Sequence, residues 1–239
     1  MKLGKLAKRV DPRTLKLARF LPEHLPIPAA RDWTVGRETR EWGMLRNDDL
    51  GDCTCAALGH QVQVWSEGVA VTDADIVGLY STVTGYDPIT GAHDNGGAML
   101  DVLRYVTRNG ICGQPIRAYV ELDRTIEHIS IACELFGGVY VGLQLPNSAQ
   151  DQDVWDVADG SAAIPGSWGG HAVNVISYDP CGVNLITWGA RKRASWEFLG
   201  MYCDEAYALL SNLWAPRGRL AACGLDVDEL ERHLADVTA

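Results

Sequence analysis

The chain has 239 residues, 47% hydrophobic and 22% charged, ordinary globular values that exclude general disorder. A formal net charge of −10 repels phosphate backbones, so nucleic acid is not an expected partner. No stretch approaches the apolar run a membrane span needs, and the opening MKLGKLAKRV lacks the apolar core of an export signal, so a cytoplasmic protein without a membrane partner is expected.

Along the chain, residues 1–20 space Lys2, Lys5, Lys8, Arg9, Arg13, Lys16 and Arg19 between apolar positions. This predicts a short amphipathic helical arm whose charges form a solvated face. The prolines of 21–30 cannot continue a helix and predict a strap, so the arm is taken as 1–26 and one domain as 27–239. Helices are predicted from Cys53 to about Trp65, from a Thr72 cap through Ser81, over Met99–Val106 to a stop at Asn109-Gly110, and over Ile126–Phe136 to a stop at Gly137-Gly138. The character then changes. Val139–Leu145, His171–Tyr178 and Val183–Trp188 are short, β-branched and bounded by Gly, Pro and Asp, and predict strands, with Ala206–Leu210 a further one. The acidic-then-apolar segment at about 225–237 predicts a C-terminal helix. Helices first and strands second argue α+β, with a helical lobe at about 27–137 and an antiparallel β lobe at about 138–215.

Seven cysteines at 53, 55, 112, 133, 181, 203 and 223 form no disulfide framework and point to a reducing compartment. Cys53-Thr54-Cys55 is too tight for a zinc knuckle, and Asp151, Asp153, Asp156 and Asp159 lack the turn glycine and closing glutamate of a calcium loop, so no metal and no cofactor is expected. His60 reads as a core or surface polar residue of the first helix, and Arg191-Lys192-Arg193 as a solvated basic cluster.

Two residues carry potential chemistry. A thiol opening a helix sits at the positive end of the dipole, which favours thiolate, and Gly51 allows the tight turn before Cys53. His171, entering a strand after Gly169-Gly170, is well placed to face a cleft. Alone, each residue has a plain reading as part of a core.

Together with their surroundings they resemble the papain family of cysteine peptidases. Ile27-Pro28-Ala29-Ala30-Arg31-Asp32-Trp33 is similar to the mature start of such enzymes, and Gly51-Asp52-Cys53-Thr54-Cys55-Ala56 to their nucleophile segment. Asn95-Gly96-Gly97-Ala98-Met99 resembles the segment that forms backbone contacts to extended peptides. Gly137-Gly138-Val139, Gly170-His171-Ala172-Val173 and Thr187-Trp188-Gly189 follow in the family's order. The resemblance implies a two-lobe fold, Cys53 as nucleophile, His171 as acid and base, and Asn47 as the amide of the oxyanion hole. It implies a peptide or protein substrate held by Gly96, Gly97, Met99, Ala172 and Trp188. Met99, Ala172 and Tyr207 as pocket residues hint at apolar side chains.

The sequence departs from the family at several places. Alignment on Trp-Gly puts Ile186 where an asparagine orients the histidine, and spacing from His171 nominates Thr187 instead. Asn47 replaces a longer glutamine, and no long propeptide precedes Ile27, leaving the arm to do a smaller version of that work or none. Asp52-Cys53 is also similar to the Asp-Cys pair of bacteriocin-processing peptidases. Two readings follow: a cysteine peptidase or amidase, or a catalytically weak papain-fold protein serving a larger assembly such as a phage particle.

Overall fold

The computed structural model describes residues 1–22, 25–37 and 40–214. The helix expected at about 225–237, and Cys223, lie outside the described residues. The elements in chain order are β1 (Arg31–Asp32), α1 (Cys53–Trp65), α2 (Asp73–Thr84), α3 (Met99–Asn109), β2 (Ala118–Glu121), α4 (Ile126–Phe136), β3 (Val139–Leu145), β4 (Val154–Trp155), β5 (Gly169–Asp179), β6 (Gly182–Thr187), β7 (Ala190–Ser195), α5 (Trp196–Tyr202) and β8 (Cys203–Leu210). The fold is α+β, as expected.

The strands form one sheet in the order β2-β8-β3-β5-β6-β7-β4, with β1 added beside β5. All pairings are antiparallel except β4 with β7. Three apolar clusters hold it together. The largest joins α4 and α5 to the sheet, the second packs α1, α2 and α3 around Leu58, Ile76 and Leu103, and a small third gathers Trp42, Val64, Ile176 and Ile186. All of α1 is buried, which is why its sequence is apolar on nearly every side rather than striped.

Local signals explain the helix ends. Thr72 accepts from the Asp75 N–H while the Asp75 carboxylate accepts from the Thr72 N–H, a reciprocal cap on α2. Thr125 and Ser195 cap α4 and α5 in the simpler way.

The N-terminal arm departs from expectation. Residues 1–16 form no helix, and only Leu17–Arg19 makes a turn of 3-10 helix. Its backbone groups instead find partners on the body, where tertiary pairing outweighs the helical spacing of its side chains. Nor are its cations merely solvated. Lys2 pairs with Asp94, Lys8 and Lys16 with Glu121 at 2.6 and 2.5 Å, and Arg9 with Asp101 at 2.5 Å. The second basic cluster is strand β7, in which Arg191 pairs with Asp32 at 2.8 Å and Arg193 with Asp179 at 2.6 Å.

Candidate active site

The first turn of α1 places Cys53 against β5, and two contacts fix that turn. The Tyr140 hydroxyl on β3 donates to the Thr54 carbonyl at 2.7 Å. Asp94 accepts from the Gly51 N–H at 2.9 Å and from the Tyr80 hydroxyl at 2.7 Å, tying the loop before Cys53 to the Asn95-Gly96 turn. Cys53 itself is 1% exposed. The sequence reading expected a helix N-terminus to lower its pKa, but burial pushes the thiol up to about 12, against backbone N–H bonds from Ala172 and Gly4 that favour thiolate. Desolvation wins over the dipole in this closed state. Asp52, buried beside Asn47, is likewise pushed up to about 8, chiefly by desolvation.

His171 is fully buried on β5, next to the Ala172 backbone that faces the thiol. Its Nε2 lies 2.7 Å from Thr187 Oγ1, and its Nδ1 is buried with no hydrogen-bond partner among the described residues. The imidazole is held low, at about 3, by desolvation and by the nearby His60. Thiol and imidazole are therefore both neutral here. The neighbouring Ile186 points away from this chemistry, into the cluster with Trp42 and Val64.

Trp188 closes the site from above. Residues Trp188 and Gly189 link β6 to β7 with φ of 46° and 73°, the positive pair of a two-residue type I′ hairpin. A tryptophan in the left-handed region is unusual and costs about 1 kcal/mol or more. Here its ring stacks on His171 with centroids 4.3 Å apart and planes 14° from parallel.

The arm runs through this site as an extended peptide. Gly97 donates to the Gly4 carbonyl at 2.8 Å and accepts from the Leu6 N–H at 3.0 Å, a parallel bridge centred on Lys5. On the other side the Lys5 N–H donates to the Gly170 carbonyl at 3.0 Å. Gly4 lies so close to Gly51 that a Cβ there would overlap the Gly51 carbonyl. Asn47, buried, donates its amide to the Lys2 carbonyl at 3.2 Å and to the Leu50 carbonyl at 3.0 Å, and Trp188 Nε1 donates to the same Lys2 carbonyl at 3.3 Å.

No family model matches the sequence, and no curated protein sequence matches it either. Solved structures do. Xylellain, a cysteine protease from Xylella fastidiosa, superposes with a TM-score of 0.63 at 15% identity, covering 87% of this chain and 96% of that one. Procathepsin B S9 from Trypanosoma congolense gives 0.58 at 14%, covering 87% and 85%. The Carica candamarcensis cysteine protease CMS1MS2, solved with E-64, gives 0.50 at 15%, covering 77% and 99%. The fold is papain-like.

On that papain-like frame the segments singled out in the sequence converge. Asn47, Gly96, Gly97 and Trp188 touch the arm, Cys53, Met99 and Ala172 share one apolar cluster, and His171 bonds to Thr187 and stacks on Trp188. Sequence reasoning missed what lies across from Met99. The register sets Ala172 of β5, Gly142 of β3 and Glu205 of β8 abreast, and Tyr207 donates its hydroxyl to Glu205 at 2.9 Å. The expected apolar pocket therefore has an acidic floor, and Lys5 fills it. The signal was the pair of carboxylates, Asp204 and Glu205, opening the otherwise largely apolar strand CDEAYALL.

The Lys5–Glu205 contact is expected to weaken in acid. Burial raises the Glu205 pKa while Lys5 opposes the rise. With Lys5 docked the carboxylate is thus more acidic than with Lys5 withdrawn, so docking favours the deprotonated form. Its contribution is complete above the undocked pKa and is lost as pH falls through the docked one, which itself lies above the ordinary 4.5. Amide exchange protection of Leu6 and Gly97 is expected to fall on acidification towards pH 4.5, after correction for intrinsic rates. Protection unchanged over that range would remove Glu205 from the latch.

Proposed function

We propose that this chain is a cysteine peptidase or amidase acting through Cys53 and His171, held latent by its own arm. One observation carries the reading: an extended segment already lies in the groove over Cys53, paired through its backbone to Gly97 and Gly170 as a peptide ligand would be. The comparison with proteases of the same fold supports it.

In the open enzyme the Cys53 proton passes to His171 Nδ1, the buried nitrogen left without a partner, and the sulfur attacks the substrate carbonyl carbon. The oxyanion takes hydrogen bonds from the Cys53 N–H and the Asn47 amide, a group that in the latent chain already holds a carbonyl oxygen, that of Lys2. Collapse breaks the C–N bond as His171 returns the proton to the leaving amine. Water, deprotonated by the same imidazole, then cleaves the thioester and regenerates the thiol. Thr187 fixes the tautomer by its hydrogen bond to Nε2, and Trp188 shields that bond from water. Departure of the arm exposes the site to solvent and removes the Gly4 contact, lifting part of the burial that keeps both groups neutral.

Thr187→Val removes the hydroxyl and leaves Nε2 buried and unpaired, a loss of about 1–3 kcal/mol. The expected result is a fall in kcat of about tenfold to a hundredfold with KM little changed. Thr187→Ser should recover most of it. The proposal as a whole is tested by peptide hydrolysis in an unlatched full-length chain with Cys53→Ala as the blank. Equal rates in the two would overturn it.

A further inference from the structure

Lys5 is a charged residue of the arm whose side chain is sealed from solvent. It is 0% exposed, with Nζ 2.8 Å from Asp204 Oδ2 and 2.9 Å from Glu205 Oε1, while the Glu205 side chain is 1% exposed. The space it fills is built for a long side chain. Gly142 lies opposite both Ala172 and Glu205, and a Cβ there would overlap Lys5 Cε, Glu205 Cγ and Met99 Sδ. Met99 and the missing Gly142 side chain thus bound the methylenes, and the acids hold the charge.

Charge balance decides what this pocket takes. Among the described residues the ion pairs made by Asp204 and Glu205 are all to Lys5. When the arm leaves, the buried Glu205 carboxylate has only the Tyr207 hydroxyl beside it, an uncompensated anion in an apolar wall. A neutral side chain entering the pocket would bury that anion unpaired, whereas a cation would restore the balance. Lys5 also leaves acceptors unused: Asp204 Oδ1 and Glu205 Oε1 are buried without an aligned hydrogen bond, although Glu205 Oε1 lies within ion-pair distance of Nζ. The ammonium, with three protons, faces three acceptors, Asp204 Oδ2 at 2.8 Å, Glu205 Oε1 at 2.9 Å and the Leu6 carbonyl at 3.3 Å, while Gln144 Nε2 donates to Asp204 Oδ2 at 2.7 Å.

We propose that this pocket selects a basic side chain, so that the substrates are peptides carrying a cationic residue at the position that Lys5 mimics. The inference rests on the peptidase reading for its catalytic half but not for its binding half, and the test separates them. In full-length Lys5→Ala, ethylguanidinium and n-butylammonium are expected to raise Tm at concentrations where n-butanol and an equal ionic strength of sodium chloride do not. The added substitution Glu205→Gln is expected to abolish that rise. In the same Lys5→Ala chain, a peptidyl acyloxymethyl ketone with arginine at the pocket position is expected to alkylate Cys53 about tenfold faster than its leucine twin, equivalent to about 1.4 kcal/mol. Lys5→Met, which keeps the methylenes, serves as a second background should Lys5→Ala fold poorly. A Tm response to butanol equal to that for the cations, a response surviving Glu205→Gln, or a leucine preference would each overturn the proposal. Cation binding with a Cys53 inert to both ketones would sustain the pocket and sink the peptidase.

Discussion

Lys5→Glu is expected to raise the rate at which iodoacetamide alkylates Cys53 at neutral pH by about a hundredfold. In the native chain the ammonium is buried between Asp204 and Glu205, and its loss alone strands the buried Glu205 carboxylate, Asp204 keeping the Gln144 amide at 2.7 Å. Breaking a buried pair costs about 3–5 kcal/mol, and a third carboxylate at the same point adds repulsion. Around Lys5 the arm is otherwise held by backbone bonds to Gly97 and Gly170 and by ion pairs such as Arg9 with Asp101, worth less than about 1 kcal/mol, while Leu15, Leu17 and Phe20 anchor its later part in the core. About 3 kcal/mol off the docking energy multiplies the open fraction by roughly a hundred, and alkylation follows that fraction when opening is fast. Gly170→Ala reaches the same end by sterics, since its Cβ would overlap the Lys5 carbonyl. Peptide mapping after alkylation reads Cys53 apart from the other six cysteines. A rate unchanged in both variants would mean that the arm does not guard the thiol.

The second large effect concerns His171. In the Lys5→Glu background, His171→Ala is expected to lower peptide hydrolysis by about a hundredfold to ten-thousandfold, the span of general acid and base catalysis. The imidazole has no evident structural alternative that would explain such a loss. It makes one hydrogen bond, to Thr187, and one ring contact, to Trp188, and its second nitrogen bonds to nothing described. His171→Gln, close in size, should fold normally and be equally inactive. His60 makes the contrast: its Nε2 bonds from α1 to the Gly43 carbonyl at 2.9 Å, so His60→Gln should affect stability and leave kcat near its starting value.

Much of this site was legible in the sequence because its parts are local. A thiol opening a helix, a histidine entering a strand after two glycines and a Trp-Gly hairpin each leave a short signature, and α1 begins at Cys53 as read. The helices α3 and α4 end at Asn109 and Phe136, where glycine follows. What escaped depends on distant partners. The arm looks amphipathic, yet its backbone bonds to Gly97 and Gly170, some 90 and 165 residues away in the chain, and no helical period reports that. Strand β7 reads as a basic run because its arginines find Asp32 and Asp179 only in the folded sheet. Strand β2, four residues long, and α5, seven, are too short for periodicity to register. The acidic floor of the pocket needed the register of three strands, which sequence alone does not supply.

Everything turns on whether the opened thiol and imidazole act on each other. The direct measurement is the pH dependence of Cys53 alkylation in full-length Lys5→Glu, with and without His171→Ala. The account predicts an inflection well below the ordinary cysteine value of about 8.5 in the first and a return to that value or above in the second. The same inflection in both chains would contradict it, leaving a papain-like fold whose groove binds peptides without cutting them.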